Sequence, residues 1–355
     1  MTHRIQPLAV DRTHGGIDQP GLIDFSTSLN PLGPPPEALQ AYKMAVADIS
    51  RYPPPYPRLL ESHIAGWLGV DPDSVLAGNG STHLIYLLTR VLNLRSASVA
   101  LPTFSEIANA LVAAASTVSP LYTSRENNFR LDPRAVSAAL RNGADGIFFG
   151  RPNSPTGTLM NLDEAAEIVA QCDRHNAWCV FDEAFIEFAD DRRSMIELIK
   201  PFSKLLVLRS LTKIFAIPGL RLGYLVGAAN YVAMLRAVIE PWSVNVAAAA
   251  VARACLGVSS SFIEKTRDLV ALERSAIESE LSRLRKLRVY RSSANFIMLE
   301  VADEGGEGDF ARHLRRTSIV IRDLGALPGC GPGFYRLGIR APEDNARLLA
   351  AAADY

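Results

Sequence analysis

Lys213 lies in Leu206-Val207-Leu208-Arg209-Ser210-Leu211-Thr212-Lys213-Ile214-Phe215-Ala216-Ile217-Pro218-Gly219-Leu220-Arg221, an amine among apolar residues between a buried-strand run and a Pro-Gly turn. An amine so placed loses hydration, its pKa falls, and its lone pair becomes available to attack a carbonyl. That is the chemistry of a Schiff-base lysine. A lysine at the end of a strand is more often a surface side chain, so other positions must complete the chemistry. Asp182 closes the apolar run from Trp178; a carboxylate at the C-terminal end of a central strand lies at the ligand edge of an open α/β sheet. Asn153 stands between Pro152 and Pro155, in a loop those prolines stiffen, so its side chain is placed at little entropic cost. Gly78-Asn79-Gly80-Ser81-Thr82 joins a short strand to a helix. There, backbone N–H groups and the positive end of the helix dipole face one point, a physical anion site, although Gly-Asn-Gly also makes a plain turn.

Further candidates are scattered along the chain. His14-Gly15-Gly16 offers a donor beside two residues without side chains, suited either to close approach by an anion or to a solvated arm. Asn30 precedes Pro31 in a run that also suits a plain turn. Phe104 follows Pro102-Thr103, placed either to cover a ring or to fill a core. Arg322 and Arg336 flank the Gly-Pro loop 328–333 and read equally as anion ligands or as surface residues.

Alternating segments must position these groups. Helical periodicity runs over 59–68, 83–92, 106–115 and 163–175, and strand-like runs cover 74–77, 98–101, 117–121, 146–150 and 178–181. This is the alternation of βαβ units. An Ala-rich helix is expected over 246–256 and a long charged one over 262–284, leading to short strands near 289–292, 294–301, 320–322 and 335–339. The 355 residues allow one large and one smaller domain, and 37 basic against 37 acidic side chains leave no net charge. Such balance gives no electrostatic footprint for nucleic acid or an anionic membrane. The N-terminus lacks signal-peptide character and no long uncharged apolar span occurs, which predicts a soluble, cytoplasmic protein. Four cysteines and six histidines show no metal-ligand spacing, so no metal site is expected.

Ser210-x-x-Lys213 with Arg221, Pro152-Asn153-x-Pro155-Thr156-Gly157, Asp182 and Gly78–Thr82 together resemble the signature of fold-type I pyridoxal-phosphate (PLP) enzymes, the aspartate aminotransferase superfamily. The resemblance runs from His14 to Arg340. Asn30-Pro-Leu-Gly, Arg51-Tyr-Pro, Asp182-Glu-Ala and Asn345-Ala-Arg-Leu-Leu are similar to the branch of histidinol-phosphate aminotransferases and L-threonine-O-3-phosphate decarboxylases. His14-Gly-Gly, Phe185, Pro241-Trp-Ser-Val-Asn and Tyr335-Arg-x-x-Ile-Arg resemble its decarboxylase side.

The resemblance implies an α/β, fold-type I architecture. A large PLP-binding domain over 45–260, its mostly parallel mixed sheet sandwiched by helices, would be joined by an N-terminal arm and small α/β domain from 1–44 and 261–355. It implies that Lys213 forms the Schiff base, Asp182 pairs with the pyridine nitrogen, Asn153 donates to the phenolate oxygen and Phe104 stacks on the ring. Gly80, Ser81, Thr82, Ser210 and Arg221 would hold the cofactor phosphate, and Tyr52 would reach the phosphate of a neighbouring subunit, making a homodimer with its site at the interface. His14, Gly15, Asn30, Asn153, Arg322 and Arg336 would bind a phosphorylated amino acid, with Arg336 on its carboxylate. The implied activity is decarboxylation of O-phospho-L-threonine or a close phosphorylated or phosphonylated analogue, in cobalamin side-chain synthesis. The alternative is a histidinol-phosphate-type aminotransferase using 2-oxoglutarate. Phe185 departs from the tyrosine common in the superfamily; from the decarboxylases, Ser81 departs where they carry an acidic residue, and Pro54-Pro55 replace the acidic and small residues expected after Tyr52-Pro53.

Overall fold

The computed structural model describes residues 12–17, 19–191, 193–301 and 309–355. Short apolar runs, buried on both faces, assemble into a seven-stranded sheet. Its strand order is Val75–Gly78, Gly223–Val226, Leu205–Ser210, Trp178–Asp182, Gly146–Gly150, Ser96–Leu101 and Thr117–Tyr122. All neighbours are parallel except Gly223–Val226, which is antiparallel to both strands beside it. Side chains alternate across the sheet. Ile147, Phe149, Phe181 and Val207 enter one helix-covered core, and Phe148, Val180, Leu206 and Leu225 enter the other. Helices on both faces are the usual cover for a mostly parallel sheet.

Register then decides what meets at the edge. Gly150 pairs with Asp182 and Asp182 with Leu208, so the loops holding Asn153, Asp182 and Lys213 all leave the same edge. Gly223 pairs with both Gly78 and Ser210, which brings the Gly78–Thr82 turn beside Ser210. A second, antiparallel sheet runs in the order Arg322–Asp323, Phe334–Gly338, Phe296–Val301 and Leu287–Tyr290. It shares a core with Phe25 and with Ile277 and Leu281 of the helix Ser259–Leu281. The N-terminal arm joins this layer through Ile23–Asp24, which pairs in parallel with Ile319–Val320.

Most expected elements occur within a few residues of their anticipated bounds. The helix expected from residue 83 begins at Gly80, so the amides of Ser81 and Thr82 belong to its open first turn. The strand expected over 320–322 is instead two short pairings separated by Ile321, and the chain changes sheets there. Helices Pro36–Ala45, Pro133–Arg141, Ala229–Arg236 and Pro342–Ala353 were not anticipated. Pro36–Ala45 packs on Val246–Gly257, with Ala38 in the core of the large sheet. Among the described residues no single helix is long and apolar enough to cross a membrane.

Candidate active site

A cleft of about 630 Å³ lies along the C-terminal edge of the large sheet. Lys213 stands at its floor, on the single helical turn Leu211–Ile214 that follows the strand Leu205–Ser210. Its Nζ donates to Ser210 Oγ at 3.3 Å, and that hydroxyl lies 2.7 Å from Thr212 Oγ1. Burial pushes the amine's pKa down to about 8, with Arg221 and Arg336 adding to the effect and Asp182 opposing it. Asp182 is itself raised by burial, against the pull of Lys213 and of the Ala184 N–H, which donates to Oδ1 at 3.0 Å. A neutralisable amine and a desolvated carboxylate therefore share one pocket, an arrangement typical of catalytic centres.

Ser81, Thr82 and Arg221 line one end of the cleft. Two glycines make room there. A Cβ on Gly223 would sit 2.4 Å from Ser81 N and 2.9 Å from Arg209 O. Gly80 has φ +83°, and a Cβ on it would lie 2.8 Å from Arg221 Nη2. Helix N–H groups and a guanidinium thus converge on one point, the donor set a phosphate requires. Phe104 lines the wall beside it.

The other end carries a second set of cations. Arg336 donates to Ser154 Oγ at 3.0 Å and Ser26 O at 2.9 Å, and lies 5.3 Å from the Phe296 ring. Burial, then Arg322, lower its pKa to about 10 against the opposing charge of Asp24. Its Nε is buried without a protein partner, and so is the hydroxyl of Ser28, also on the cleft wall. Each is a buried donor whose hydrogen-bonding capacity the described residues leave unused. Arg322 donates to the carbonyl and, at 2.9 Å, to the hydroxyl of Thr13. His14 and Gly15 complete this end, with Gly15 so close to Ser26 that a Cβ would fall 2.3 Å from the Ser26 carbonyl oxygen.

Three expected site residues do not line this cleft within their own chain, and for Tyr52, expected to serve a neighbouring subunit, that was anticipated. Asn30 is buried behind Lys213: its Nδ2 donates to Ile214 O and Thr266 Oγ1, both at 2.7 Å, and its Oδ1 accepts from Leu32 N–H. Its N–H also donates to Lys213 O at 3.1 Å, so Asn30 anchors the lysine turn and leaves no amide for a substrate, which corrects that expectation. The Asn153 amide donates to Pro102 O at 2.8 Å and Thr156 Oγ1 at 3.0 Å and accepts from Thr103 Oγ1 at 2.7 Å. It lies at the wall of a small neighbouring cavity, not of the main cleft. Tyr52 is 85% exposed and leans on Trp242 at 5.4 Å between ring centroids, away from the cleft of its own chain. Sequence reasoning missed Ser28, Thr13 and Ser154; the hydroxyl run Ser26-Thr27-Ser28 was the only signal for the first.

With this geometry in place, comparison with known proteins adds a second line. Residues 20–352 match the sequence profile described as "Aminotransferase class I and II". The chain belongs to this family. Among class I and II relatives it is 34% identical to the threonine-phosphate decarboxylase of Salmonella typhimurium, over 95% of this chain and 92% of that one. It is also 34% identical to a protein of Caldanaerobacter subterraneus assigned the same activity, over 92% and 88%. The crystal structure of the histidinol-phosphate aminotransferase from Clostridium acetobutylicum superposes with a TM-score of 0.87 at 28% identity, covering 94% of this chain and 98% of that one. In this class I and II member, Phe185 packs edge-on against Phe296 at 4.9 Å, and Lys213 Nζ lies 5.9 Å from its ring centre. The amine thus has an aromatic face beside it where a tyrosine would add a hydroxyl.

Proposed function

We propose that the chain binds pyridoxal 5'-phosphate in this cleft and decarboxylates O-phospho-L-threonine or a close phosphorylated or phosphonylated amino acid. The observation that carries the reading is that two sets of anion donors, Ser81 and Thr82 with Arg221 and then Arg322 with Arg336, line the same cleft as Lys213. The cup of Ser81, Thr82 and Arg221 fits the cofactor phosphate, and the space left by Gly80 and Gly223 lets that group approach the backbone. The far end, with Arg322, Arg336, His14 and the open Ser28 hydroxyl, fits a substrate bearing two further anionic groups. The 34% identity to threonine-phosphate decarboxylase supports the same reading.

When bound, the cofactor supplies a carbonyl that captures an amine and a ring that accepts the electron pair released at the substrate Cα. Lys213, with a pKa near 8, is an amine neutral often enough at physiological pH to hold that carbonyl, and once released it can return a proton to Cα. Asp182 at the sheet edge would hold the pyridine nitrogen and favour its protonated form, and Phe104 would stand against the ring. Anchoring carboxylate and phosphate at the far end fixes rotation about the Cα bonds, so binding energy selects which bond can break. Arg336 is the carboxylate ligand in this scheme.

We further propose that two chains act together. Leu39, Tyr42, Met44, Ile49, Tyr52 and Trp242 expose apolar surface on the 36–56 segment and the loop beside it, and an exposed apolar area of this kind fits a self-complementary interface. Tyr52, unused in its own cleft, would then serve the partner's phosphate cup. The alternative, a histidinol-phosphate-type aminotransferase, is favoured by the likeness to the Clostridium acetobutylicum enzyme. Incubating PLP-loaded protein with O-phospho-L-threonine, without a keto acid, separates the two. Carbon dioxide release is the expected result. Its absence, with glutamate formed from histidinol phosphate and 2-oxoglutarate, would replace the first reading with the second.

A further inference from the structure

Glu106 presents a puzzle at the anion end of the cleft. It is the second residue of the helix Ser105–Ala113, only 6% exposed, and lines the wall next to His14. A bare carboxylate there would repel a phosphorylated substrate. Its oxygens instead accept from Tyr86 Oη at 2.8 Å, Asn109 Nδ2 at 2.9 Å and His14 Nε2 at 3.2 Å. Burial alone would raise its pKa, but these donors outweigh burial and hold the carboxyl below its ordinary range. An ionised carboxylate only accepts, so the His14 nitrogen facing it, Nε2, carries the hydrogen that makes this contact.

The same arm is held from the opposite side. Arg322, on the small sheet, donates to the carbonyl and hydroxyl of Thr13, and Gly16 N–H donates to Ser26 Oγ at 2.9 Å. Phe104 backs the imidazole, with ring centroids 6.1 Å apart. The other charges at this end are Arg12, which acts on Tyr86 from the arm itself, and Arg322 and Arg336 from the small sheet. Residues 13–16 therefore bridge the two sheets across the mouth of the cleft, and on the large-sheet side His14 is held by Glu106.

We propose that Glu106 is a positioning residue: it anchors the His14 ring and the arm around it, so that the wall presents the anchored arm, with Arg322 beside it, to the substrate's anionic group instead of a bare carboxylate. The proposal rests on the reading of the cleft as a site for a phosphorylated amino acid. It makes Glu106 act through His14 and only on ligands that carry the anionic group.

The test uses the full-length, PLP-loaded protein. Glu106→Gln should raise KM for O-phospho-L-threonine about tenfold, the effect of losing a charge-assisted hydrogen bond, with kcat little changed. Glu106→Asp should recover part of the loss. In a His14→Asn background, adding Glu106→Gln should raise KM no further, because the path through His14 is already cut. Hydrogen exchange, which needs no turnover, should show faster exchange of the amides of residues 13–16 in Glu106→Gln. Wild-type KM and wild-type protection in Glu106→Gln would overturn the proposal, as would an undiminished effect in the His14→Asn background. If O-phospho-L-threonine is not turned over at all, the substrate reading falls, and the exchange experiment still decides whether Glu106 holds the arm.

Discussion

Beside the cleft, four charged side chains are buried together, and changing one of them tests how the edge that carries Asp182 and Lys213 is held. The Glu183 carboxylate, fully buried, accepts from Arg151 Nη1 at 3.0 Å, Arg209 Nη1 at 3.1 Å, Met195 N–H at 2.9 Å and the Ser194 hydroxyl. Arg209 also donates to Glu187 at 2.6 Å, and its pKa is raised although burial alone would lower it. Arg151 stands next to Pro152-Asn153, Glu183 follows Asp182, and Arg209 precedes Ser210. The cluster therefore ties together the backbones of three loops that face the cleft. Its two positive and two negative charges balance. Glu183→Gln keeps the volume but leaves one buried cation uncompensated, at a cost of about 3–5 kcal/mol. For 355 residues at ~2.1 cal/mol/K each, the unfolding entropy is ~0.75 kcal/mol/K, so Tm should fall by ~5 °C. Differential scanning calorimetry of the apo-protein reads this directly. The double change Arg209→Met with Glu187→Met removes one charge of each sign and leaves Arg151 paired with Glu183, so it should cost less than Glu183→Gln alone. A Glu183→Gln protein melting within a degree of wild type, or a double variant melting well below it, would refute this account.

Four further outcomes follow. In the apo-protein, capture of pyridoxal by Lys213 should rise with pH around a midpoint near 8, because the neutral amine is the nucleophile; Asp182→Asn, which removes the one charge that raises this pKa, should move the midpoint lower. Gly223→Ala should weaken cofactor binding at least about tenfold in a fluorescence titration, since its Cβ would fall 2.4 Å from Ser81 N, and displacing one donor of a phosphate site has that order of effect. Lys213→Ala, after removal of unbound pyridoxal phosphate, should lack the imine absorption band of the wild type, and a retained imine band would remove the lysine from its assigned place. Ile49→Asp, at a residue 74% exposed within the apolar 36–56 segment, should turn a dimer into a monomer by light scattering, with loss of activity if Tyr52 serves the partner.

The legible parts of the sequence were those where composition and local order carry the physics. Buried strands announced themselves as apolar runs, and the groups at their ends, Asp182, Lys213 and the Gly80–Thr82 turn, needed only a parallel sheet to be brought to one edge. Residues at the anion end come together through distant pairings, two of them more than 300 positions apart, Arg336 with Ser26 and Arg322 with Thr13. No local pattern distinguishes such an arginine from a surface one. Asn30 shows the opposite failure: a conspicuous residue in a conspicuous motif, whose amide is taken by Thr266 and the lysine turn. An asparagine is useful wherever a buried backbone needs both a donor and an acceptor, and its sequence neighbours do not reveal which backbone that is. Asn153 divides the same way, since its loop was legible and its hydrogen-bond partners were not. Residue type therefore narrows what a polar side chain can do, while its burial and the partners it already has decide what remains for a ligand. By that criterion Arg336 and Ser28, which line the cleft and keep a buried donor without a protein partner, are the better candidates for a ligand, and Asn30, with its amide N–H groups taken, packs behind Lys213.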